Sequence, residues 1–484
     1  MNYKDLSLEQ LIEEIKSGRT SREEVFKYFL NRIKKYDDKL QCFNYINENW
    51  LNTSNWALFW VPIWVKDLYC EKWIPTTWSS IMLENFVPPY DSTIIKKLNQ
   101  EAMSSIGKTT MDEFAMWTTW ENSALKKAIN PWWTNRVPGG SSSWSAAAVS
   151  AGLVPAALWT DTWWSLRQPA SLCGVVGFRP SYGRNSRYWI FPMASSLDCP
   201  WTITKTVKDA WMLYELMNGE DPLENTSLAW KDIINPKIWE SKSLKWYKIW
   251  VIKEFFWEWL DNWVKIVMEK AIKELENLWA EIKEISLPTT KYAIAAYYII
   301  VPAEVSTNLW RLDGIRYWHV SKNESSSMDW VFQNNRWEWL WSESQRRTIL
   351  WSYVLSAWFY DAYFKKAAQI RTLLIDDFNK VFNDVDVIIW PASPSVAWKM
   401  WEKSDDPLKL YLADMYTIPS SLAGLPWISV PCWFAETEDE EKEMMPVWLQ
   451  IIAPRLEEEK LFEISHVYEQ ATNFGKISPK GFED

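Results

Sequence analysis

From about residue 57 onward, the chain alternates short apolar runs with longer segments that have helical periodicity. The apolar runs have strand length and are not interrupted by polar residues at every second position, which is typical of strands buried on both faces. They lie at 59–65, 153–159, 248–252, 385–390, 428–431 and 447–452, and the predicted helices lie at 91–101, 207–217, 263–279 and 356–378. This alternation predicts an α/β fold with a central mixed β-sheet covered by helices on both faces.

Two amphipathic helices are predicted before the first strand. Ser7 and Ser21 each stand three residues before Gln10 or Glu24, which is capping-box spacing, and Gly18 follows the first helix. The sequence has no internal repeat and no linker rich in Pro, Gly or Ser. We therefore expect one domain over residues 1–484, on which residues 1–55 pack as a helical segment. The acidic run 436–443, between two predicted strands, is typical of a solvated hairpin loop.

Charge and cysteine usage exclude several classes of protein. The formal net charge is −10, and the sequence shows no basic face of the kind that binds a nucleic-acid backbone. Five scattered cysteines and two histidines argue against a disulfide framework and a Cys/His zinc site. The N-terminal residues are charged, and no apolar run reaches the roughly 18 residues of a membrane span. We expect a cytoplasmic protein that does not enter a membrane.

The numbers of Trp and Gly deviate in opposite directions from those of ordinary globular proteins. The 484 residues include 39 Trp and only 13 Gly, whereas globular proteins carry about 7% Gly. A chain with many of these Trp replaced by Gly would have an ordinary composition. The counts raise the hypothesis that many Trp stand where the fold requires Gly.

Two short segments have the composition of an active site. Residues 138–145 read Pro-Gly-Gly-Ser-Ser-Ser-Trp-Ser and run directly into an apolar Ala-rich stretch, which argues against a flexible linker. Small residues allow backbone amides to approach a ligand. Ser165 follows the predicted strand 153–159 in a turn, a recurring position for a nucleophile beside an oxyanion hole, although many strands end in such a turn.

A serine nucleophile needs a base. Neither His319 nor His466 stands in a recognisable catalytic context, and both are more typical of surface or packing residues. Lys66 ends an apolar strand, where burial would keep its amine neutral enough to accept a proton, as in Ser–Lys hydrolases. The alternative is a lysine that extends from the strand end to water.

Taken together, the segments 62–67, 139–146 and 161–169 closely resemble the amidase signature family. Ser141 lies 24 residues before Ser165, and Lys66 lies 99 residues before it, as is usual in that family. The resemblance implies that Ser165 is the nucleophile, that Ser141 follows a cis peptide bond and relays the proton, and that neutral Lys66 is the base. It further implies an oxyanion hole formed by backbone N–H groups of Thr162, Trp163 and Trp164.

Other segments resemble the glutaminase subunits of tRNA-dependent amidotransferases, namely 111–116, 121–124, 297–308, 313–317, 360–366 and 406–426. This resemblance implies a glutaminase that releases ammonia from glutamine. The implied partners are a B subunit, which binds the misacylated tRNA and activates it with ATP and magnesium, and a small C subunit. The glutaminase itself is expected to hold no cofactor and no metal. The tRNA is Glu-tRNA(Gln), with Asp-tRNA(Asn) as an open alternative.

The same resemblance implies three substrate-binding residues. Arg347 would pair with the α-carboxylate of glutamine, and Asp414 would pair with its α-ammonium group. Arg346 is the alternative to Arg347, and a solvated helix face is the alternative role for both arginines. Tyr298 is expected to form a wall of the pocket.

The sequence departs from the family pattern mainly by Trp in place of Gly. The family has Gly at Trp64, Trp144, Trp163 and Trp164, and close members commonly have Gly at Trp60, Trp78, Trp117, Trp120, Trp133, Trp159, Trp189 and Trp201, whereas Trp132 matches a Trp of the family. Two indoles would crowd a turn that must approach an oxyanion. Overpacking costs about 1–3 kcal/mol per site, against a total stability of roughly 5–15 kcal/mol. The interpretation is that UGA codons of the gene encode glycine in the host and have been read as tryptophan.

Two other functions remain as alternatives. The chain could be a stand-alone amidase of another carboxamide, or a catalytically dead scaffold subunit if Trp163 and Trp164 are genuine.

Overall fold

The computed structural model describes residues 2–48, 61–100, 103–116, 125–162, 165, 167–229, 231–255, 260–312, 321–323, 327–339, 345, 359–400, 402, 414–437, 439–473, 475 and 477–483. Within these ranges, eleven strands form one mixed sheet. They are β1 (Phe43–Ile46), β2 (Val61–Lys66), β3 (Met103–Thr109), β4 (Ala156–Asp161), β5 (Val176–Arg179), β6 (Cys199–Thr204), β7 (Lys248–Ile252), β8 (Glu281–Ile285), β9 (Val387–Pro391), β10 (Trp427–Glu436) and β11 (Met444–Ile452).

The strand order in the sheet is β1-β3-β2-β4-β6-β5-β10-β11-β9-β7-β8. Two groups of parallel strands, β3-β2-β4 and β9-β7-β8, are joined through antiparallel strands in the middle. Every residue of β2, β4, β6 and β9 is buried, so both faces of the sheet are covered. The predicted fold class is confirmed.

The helices that accompany this sheet in the described ranges are α1 (Leu8–Lys16), α2 (Arg22–Leu40), α3 (Thr93–Gln100), α4 (Ser143–Ser150), α5 (Arg167–Cys173), α6 (Val207–Met217), α7 (Asn262–Asn277), α8 (Ala293–Leu309), α9 (Met328–Trp339), α10 (Lys365–Val381), α11 (Ile418–Leu422) and α12 (Glu458–Thr472). Both predicted capping boxes form, at Ser7 and at Ser21. They satisfy backbone N–H groups at the starts of α1 and α2 that have no partner within the helix.

The acidic run 436–443 forms the predicted hairpin connection, between β10 and β11. The expectation that it is solvated is wrong in part. Glu443 is buried and accepts a hydrogen bond from Arg136 Nε, and Asp439 lies 2.5 Å from Arg136 Nη2. A buried guanidinium requires carboxylate partners, and this one draws the acidic loop onto the body of the protein.

Within the described ranges, no helix combines the length and the apolar character needed to cross a membrane. The five cysteines are buried free thiols. The described residues contain no group of His, Cys, Asp or Glu arranged to hold a metal ion.

Candidate active site

The three proposed catalytic side chains come from three different elements that meet at one end of the sheet. Lys66 is the last residue of β2, Ser141 lies just before α4, and Ser165 lies between β4 and α5. Since β2 and β4 are parallel neighbours, with Val65 opposite Leu158, their C-terminal ends lie at the same edge of the sheet. In open α/β sheets this edge is the usual place for ligand sites.

The three side chains form one continuous chain of polar contacts. Lys66 Nζ lies 2.9 Å from Ser141 Oγ, and Ser141 Oγ lies 3.2 Å from Ser165 Oγ. The peptide bond between Gly140 and Ser141 is cis. All three side chains are buried. The structure therefore brings together an amine and two hydroxyl groups in the order that a proton relay requires.

Lys66 does not extend to water, which rules out the alternative arrangement considered for it, because the residue is fully buried. Burial lowers its pKa from 10.5 to about 7, and the nearby carboxylates of Asp112, Asp161 and Asp198 oppose that shift. Nζ also lies 4.4 Å from the centre of the Trp159 ring system. A large fraction of Lys66 is therefore neutral at neutral pH and able to accept a proton.

A buried ionic cluster holds the ends of the segment that carries Ser165. Asp161, the last residue of β4, lies 3.3 Å from Arg179 Nη1 and 3.8 Å from Arg167 Nη2. Arg167 also donates to the hydroxyl groups of Ser420 and Ser421, at 2.7 and 2.6 Å. Burial lowers the pKa of Arg167 to about 9, with Asp161 opposing the shift. This cluster connects the turn that carries Ser165 to α11.

Thr162 begins the turn that was predicted to form the oxyanion hole. It is buried, and its hydroxyl group donates to Asp198 at 2.6 Å. Trp163 and Trp164, the other two predicted members of the oxyanion hole, lie outside the described residues. Sequence reasoning missed Arg167 and Asp198. The available signals were an arginine two residues after Ser165 and an acidic residue directly before the segment 199–204.

The structure brings together two of the predicted substrate-binding residues. The Tyr298 hydroxyl group, on α8, donates to the carboxylate of the buried Asp414. Asp414 also contributes to the electrostatic field at Arg167, which places it beside the cluster that anchors the Ser165 turn. Arg346 and Arg347 lie outside the described residues, so their assignment stays a prediction.

A cavity of about 410 Å³ lies beside the end of β4. Its lining includes Thr160, Met193, Asp198 and Asn308. Asp198 thus contacts Thr162 on one side and borders the cavity on the other.

Of the two histidines, His319 lies outside the described residues. His466, on α12, packs edge-on against Trp239, with ring centres 5.0 Å apart. Its pKa is lowered by burial. This environment agrees with the packing role expected from the sequence.

The amidase family model matches residues 24–462 of the chain. The chain belongs to the amidase family. Among curated proteins, this amidase is 42% identical over 486 residues to the A subunit of glutamyl-tRNA(Gln) amidotransferase from Thermoanaerobacter pseudethanolicus, with 98% of both chains covered. It is 43% identical over 451 residues to the protein of the same name from Persephonella marina, covering 93% of this chain and 89% of the relative.

A solved structure shows the same likeness. The crystal structure of the A subunit of glutamyl-tRNA(Gln) amidotransferase from Thermotoga maritima matches this amidase with a TM-score of 0.81 and 36% identity, covering 99% of this chain and 98% of that one. The resemblance inferred from the sequence motifs is confirmed. The relatives match the chain along nearly its whole length, so the likeness is not limited to the motif segments.

Proposed function

We propose that this amidase is the glutaminase subunit of a tRNA-dependent amidotransferase, which hydrolyses glutamine to glutamate and ammonia. The observation that carries the proposal is the buried chain Lys66–Ser141–Ser165, with contacts of 2.9 and 3.2 Å. The residues around these three side chains support glutamine as the substrate. A buried carboxylate, Asp414, lies near the nucleophile's anchor and suits the α-ammonium group of an amino acid.

The geometry supports a two-stage acyl transfer. Ser165 Oγ attacks the carboxamide carbon of glutamine and passes its proton to Ser141 Oγ, while the proton of Ser141 passes to neutral Lys66 Nζ. Backbone N–H groups of the turn that starts at Thr162 stabilise the oxyanion of the tetrahedral intermediate. The proton then returns through Ser141 to the leaving nitrogen, ammonia departs, and a glutamyl ester remains on Ser165.

Water completes the reaction by the same path. Lys66, neutral again, accepts through Ser141 the proton of a water molecule that attacks the ester carbonyl. Glutamate leaves as Ser165 recovers its hydroxyl proton. The lowered pKa of Lys66, about 7, suits both directions of proton transfer at neutral pH.

Substrate recognition and partners complete the proposal. Arg347 would pair with the α-carboxylate of glutamine, and Tyr298 orients Asp414 for the α-ammonium group. A B subunit would hold misacylated Glu-tRNA(Gln), or Asp-tRNA(Asn), together with ATP and magnesium, and a small C subunit would complete a cytoplasmic complex. The net charge of −10 supports leaving the tRNA to a partner.

The test measures ammonia release from glutamine by the purified chain, alone and with the B and C subunits and Glu-tRNA(Gln). We expect hydrolysis to rise when partners and charged tRNA are present, and a glutamyl ester on Ser165 to be detected by mass spectrometry after rapid quenching. Ser165→Ala should abolish both signals, whereas Ser143→Ala, a change at a nearby buried serine outside the relay, should retain them.

Two outcomes would contradict the proposal. Hydrolysis of other carboxamides at equal efficiency, without any response to partners and tRNA, would indicate a stand-alone amidase. The absence of both hydrolysis and ester in a folded, assembled complex would indicate a scaffold subunit.

A further inference from the structure

Asp198 lies next to the turn that leads from Thr162 to Ser165, called here the oxyanion turn. It takes part in none of the proposed catalytic steps. It directly precedes β6, whose first residue, Cys199, pairs with Asp161 at the end of β4. The turn that leads to Ser165 begins one residue later, at Thr162. The sheet register therefore places Asp198 beside the start of this turn.

The carboxylate of Asp198 connects two segments of backbone. One oxygen accepts a hydrogen bond from the Thr162 hydroxyl group at 2.6 Å, and the other accepts hydrogen bonds from the backbone N–H groups of Met193 and Ala194 at 2.7 and 2.9 Å. The residue is 8% exposed. The positive charge of Arg187 favours the ionised form of Asp198, and the negative charge of Asp198 raises the pKa of Lys66.

These contacts restrict Thr162 more than burial alone would. A threonine has few χ1 rotamers, and a short hydrogen bond from its hydroxyl group to a fixed carboxylate selects one of them. The N–H donors of an oxyanion hole act only when they are held at about 3 Å from the developing charge. A small displacement of such groups can reduce a rate by about 100-fold.

We propose that Asp198 is a positioning residue for the glutaminase reaction, which acts through the Thr162 hydroxyl group to fix the backbone of the oxyanion turn. The inference rests on the proposed function, since it presumes that this turn stabilises an oxyanion. It concerns kcat and not glutamine binding, because Asp198 acts through Thr162 on a charge that exists only in the transition state.

The experiment is a double-mutant cycle on glutamine hydrolysis by the chain assembled with its B and C subunits. Thr162→Val removes the hydroxyl donor, and Asp198→Asn turns one of the two accepting oxygens into an NH2 group and removes the charge; each should lower kcat about 10- to 100-fold with little change in KM. The double variant should be no slower than the slower single variant, because both changes remove the same contact. Thr162→Ser, which keeps the hydroxyl group, should retain most of the activity.

Asp209→Asn is the matched control. Asp209 is another fully buried carboxylate that accepts a hydrogen bond from a backbone N–H group, but it lies on α6 and this donor, Glu9, is in the N-terminal helix α1. It should lower the melting temperature and leave kcat and KM unchanged. Thr162→Val, which keeps the side-chain shape, tests the inference even where Asp198→Asn does not fold.

Two results would overturn the inference. One is unchanged kcat in folded Asp198→Asn and Thr162→Val proteins. The other is single effects that multiply in the double variant, which would show that the two residues act separately. The proposed function would fail differently, by the absence of glutamine hydrolysis in the unmodified complex.

A second observation, independent of the active site, concerns the helix ends. Helix α7 ends in a Schellman motif, in which Trp279 N donates to Glu276 O at 2.9 Å and Ala280 N donates to Leu275 O at 3.1 Å. Trp279 has φ of 73°. This position of the motif strongly favours glycine, because a side chain collides with the backbone there.

The same chain uses glycine at the equivalent position of three other helices. Gly18, Gly152 and Gly424 follow α1, α4 and α11, with φ of 72°, 65° and 67°. Each makes the same pair of backbone hydrogen bonds as Trp279 does. Trp279 is therefore the exception in a motif that is otherwise built with glycine.

Three more tryptophans have left-handed backbone conformations, namely Trp73, Trp78 and Trp189, with φ of 64°, 52° and 60°. Such φ values are rare for bulky residues. Family resemblance had already marked Trp78 and Trp189 as glycine positions. For Trp73 and Trp279, the backbone conformation alone indicates a glycine position.

We infer that Trp73 and Trp279 are glycines in the protein made by its host, encoded by UGA. The test is peptide mass spectrometry of the native protein together with the nucleotide sequence of the gene. Residues 73 and 279 should be glycine with UGA codons. Trp132, whose indole N–H donates to Cys173 O at 2.8 Å, should be tryptophan with a UGG codon. Tryptophan at 73 or 279 in native peptides, or UGG codons there, would overturn the inference.

Discussion

Replacing Lys66 by an apolar residue should stabilise the protein while it abolishes catalysis. The pKa of Lys66 falls from 10.5 to about 7 on folding, mainly through burial. At pH 7 or below, this difference of about 3.5 units corresponds to roughly 5 kcal/mol of lost stability, at about 1.4 kcal/mol per unit. Lys66→Met fills a similar volume without a charge. We expect it to raise the free energy of unfolding at pH 7 by a few kcal/mol. The loss of the hydrogen bond between Lys66 and Ser141 reduces this gain.

The pH dependence gives the sharper test. Between pH 7 and 10.5 the unfolded chain keeps the Lys66 proton that the folded protein has released, so the stability of the unmodified protein rises with pH. Below pH 7 both states hold the proton, and this contribution has no slope. The advantage of Lys66→Met should therefore shrink by about 2–3 kcal/mol between pH 7 and pH 9.

The assay is reversible urea unfolding at pH 6, 7, 8 and 9, with the difference in unfolding free energy between the two proteins plotted against pH. Ser141→Ala keeps the buried amine and is the control, so its difference from the unmodified protein should not follow this curve. A Lys66→Met advantage that is constant from pH 7 to 9, or a destabilised variant at pH 7, would refute the assignment of Lys66 as a neutral buried amine.

Four further predictions use other parts of the structure. Because catalysis needs neutral Lys66, kcat/KM for glutamine should rise about tenfold per pH unit below pH 7 and level off above it, measured as ammonia release. Asp414→Asn should lower kcat/KM about 30-fold or more by weakening the pairing with the α-ammonium group, seen in steady-state kinetics mainly as a higher KM. Arg136→Met leaves Glu443 buried without its guanidinium partner, so it should destabilise the fold by about 3 kcal/mol in urea unfolding. Gly18→Ala should cost about 1–2 kcal/mol in the same assay, because φ is 72° while no atom crowds a new Cβ, and an unchanged midpoint would contradict this.

Six strands, β2, β4, β7, β9, β10 and β11, overlap the apolar runs that the sequence predicted, whereas β1, β3, β5, β6 and β8 were not predicted. The run 248–252 coincides with β7, and the helical segment 207–217 coincides with α6. Strands β1 and β8 escaped prediction because they are the edges of the sheet and are only partly buried, so their sequences carry polar residues. Strand β3 escaped for another reason. It is internal, but it contains Lys108, whose ammonium is buried against Tyr69 O and Glu71.

The site was predictable where chemistry resides in a motif and not where it depends on contacts across the fold. Lys66, Ser141 and Ser165 stand in segments that resemble a family, and the structure places them in contact. Arg167 and Asp198 contact residues that are distant in the sequence or separated by a strand, so the local sequence shows where they stand but not which residues they bind. Their partners are determined by the register of β4 against β6 and by the packing of α11.

The pKa of Lys66 is a balance between burial, which lowers it, and three carboxylates, which raise it. If burial acted alone, the amine would be a weaker base, and if the carboxylates lay closer, it would stay protonated and could not accept the serine proton. Asp161 also pairs with Arg167 and Arg179, and Asp198 accepts hydrogen bonds from Thr162 and from backbone N–H groups. The carboxylates that raise the pKa of Lys66 thus include the one that binds Thr162 at the start of the oxyanion turn. For this reason, Asp198→Asn should shift the pH profile of hydrolysis to lower pH in addition to lowering kcat. Thr162→Val leaves the charge of Asp198 in place, so it should lower kcat without this shift of the profile.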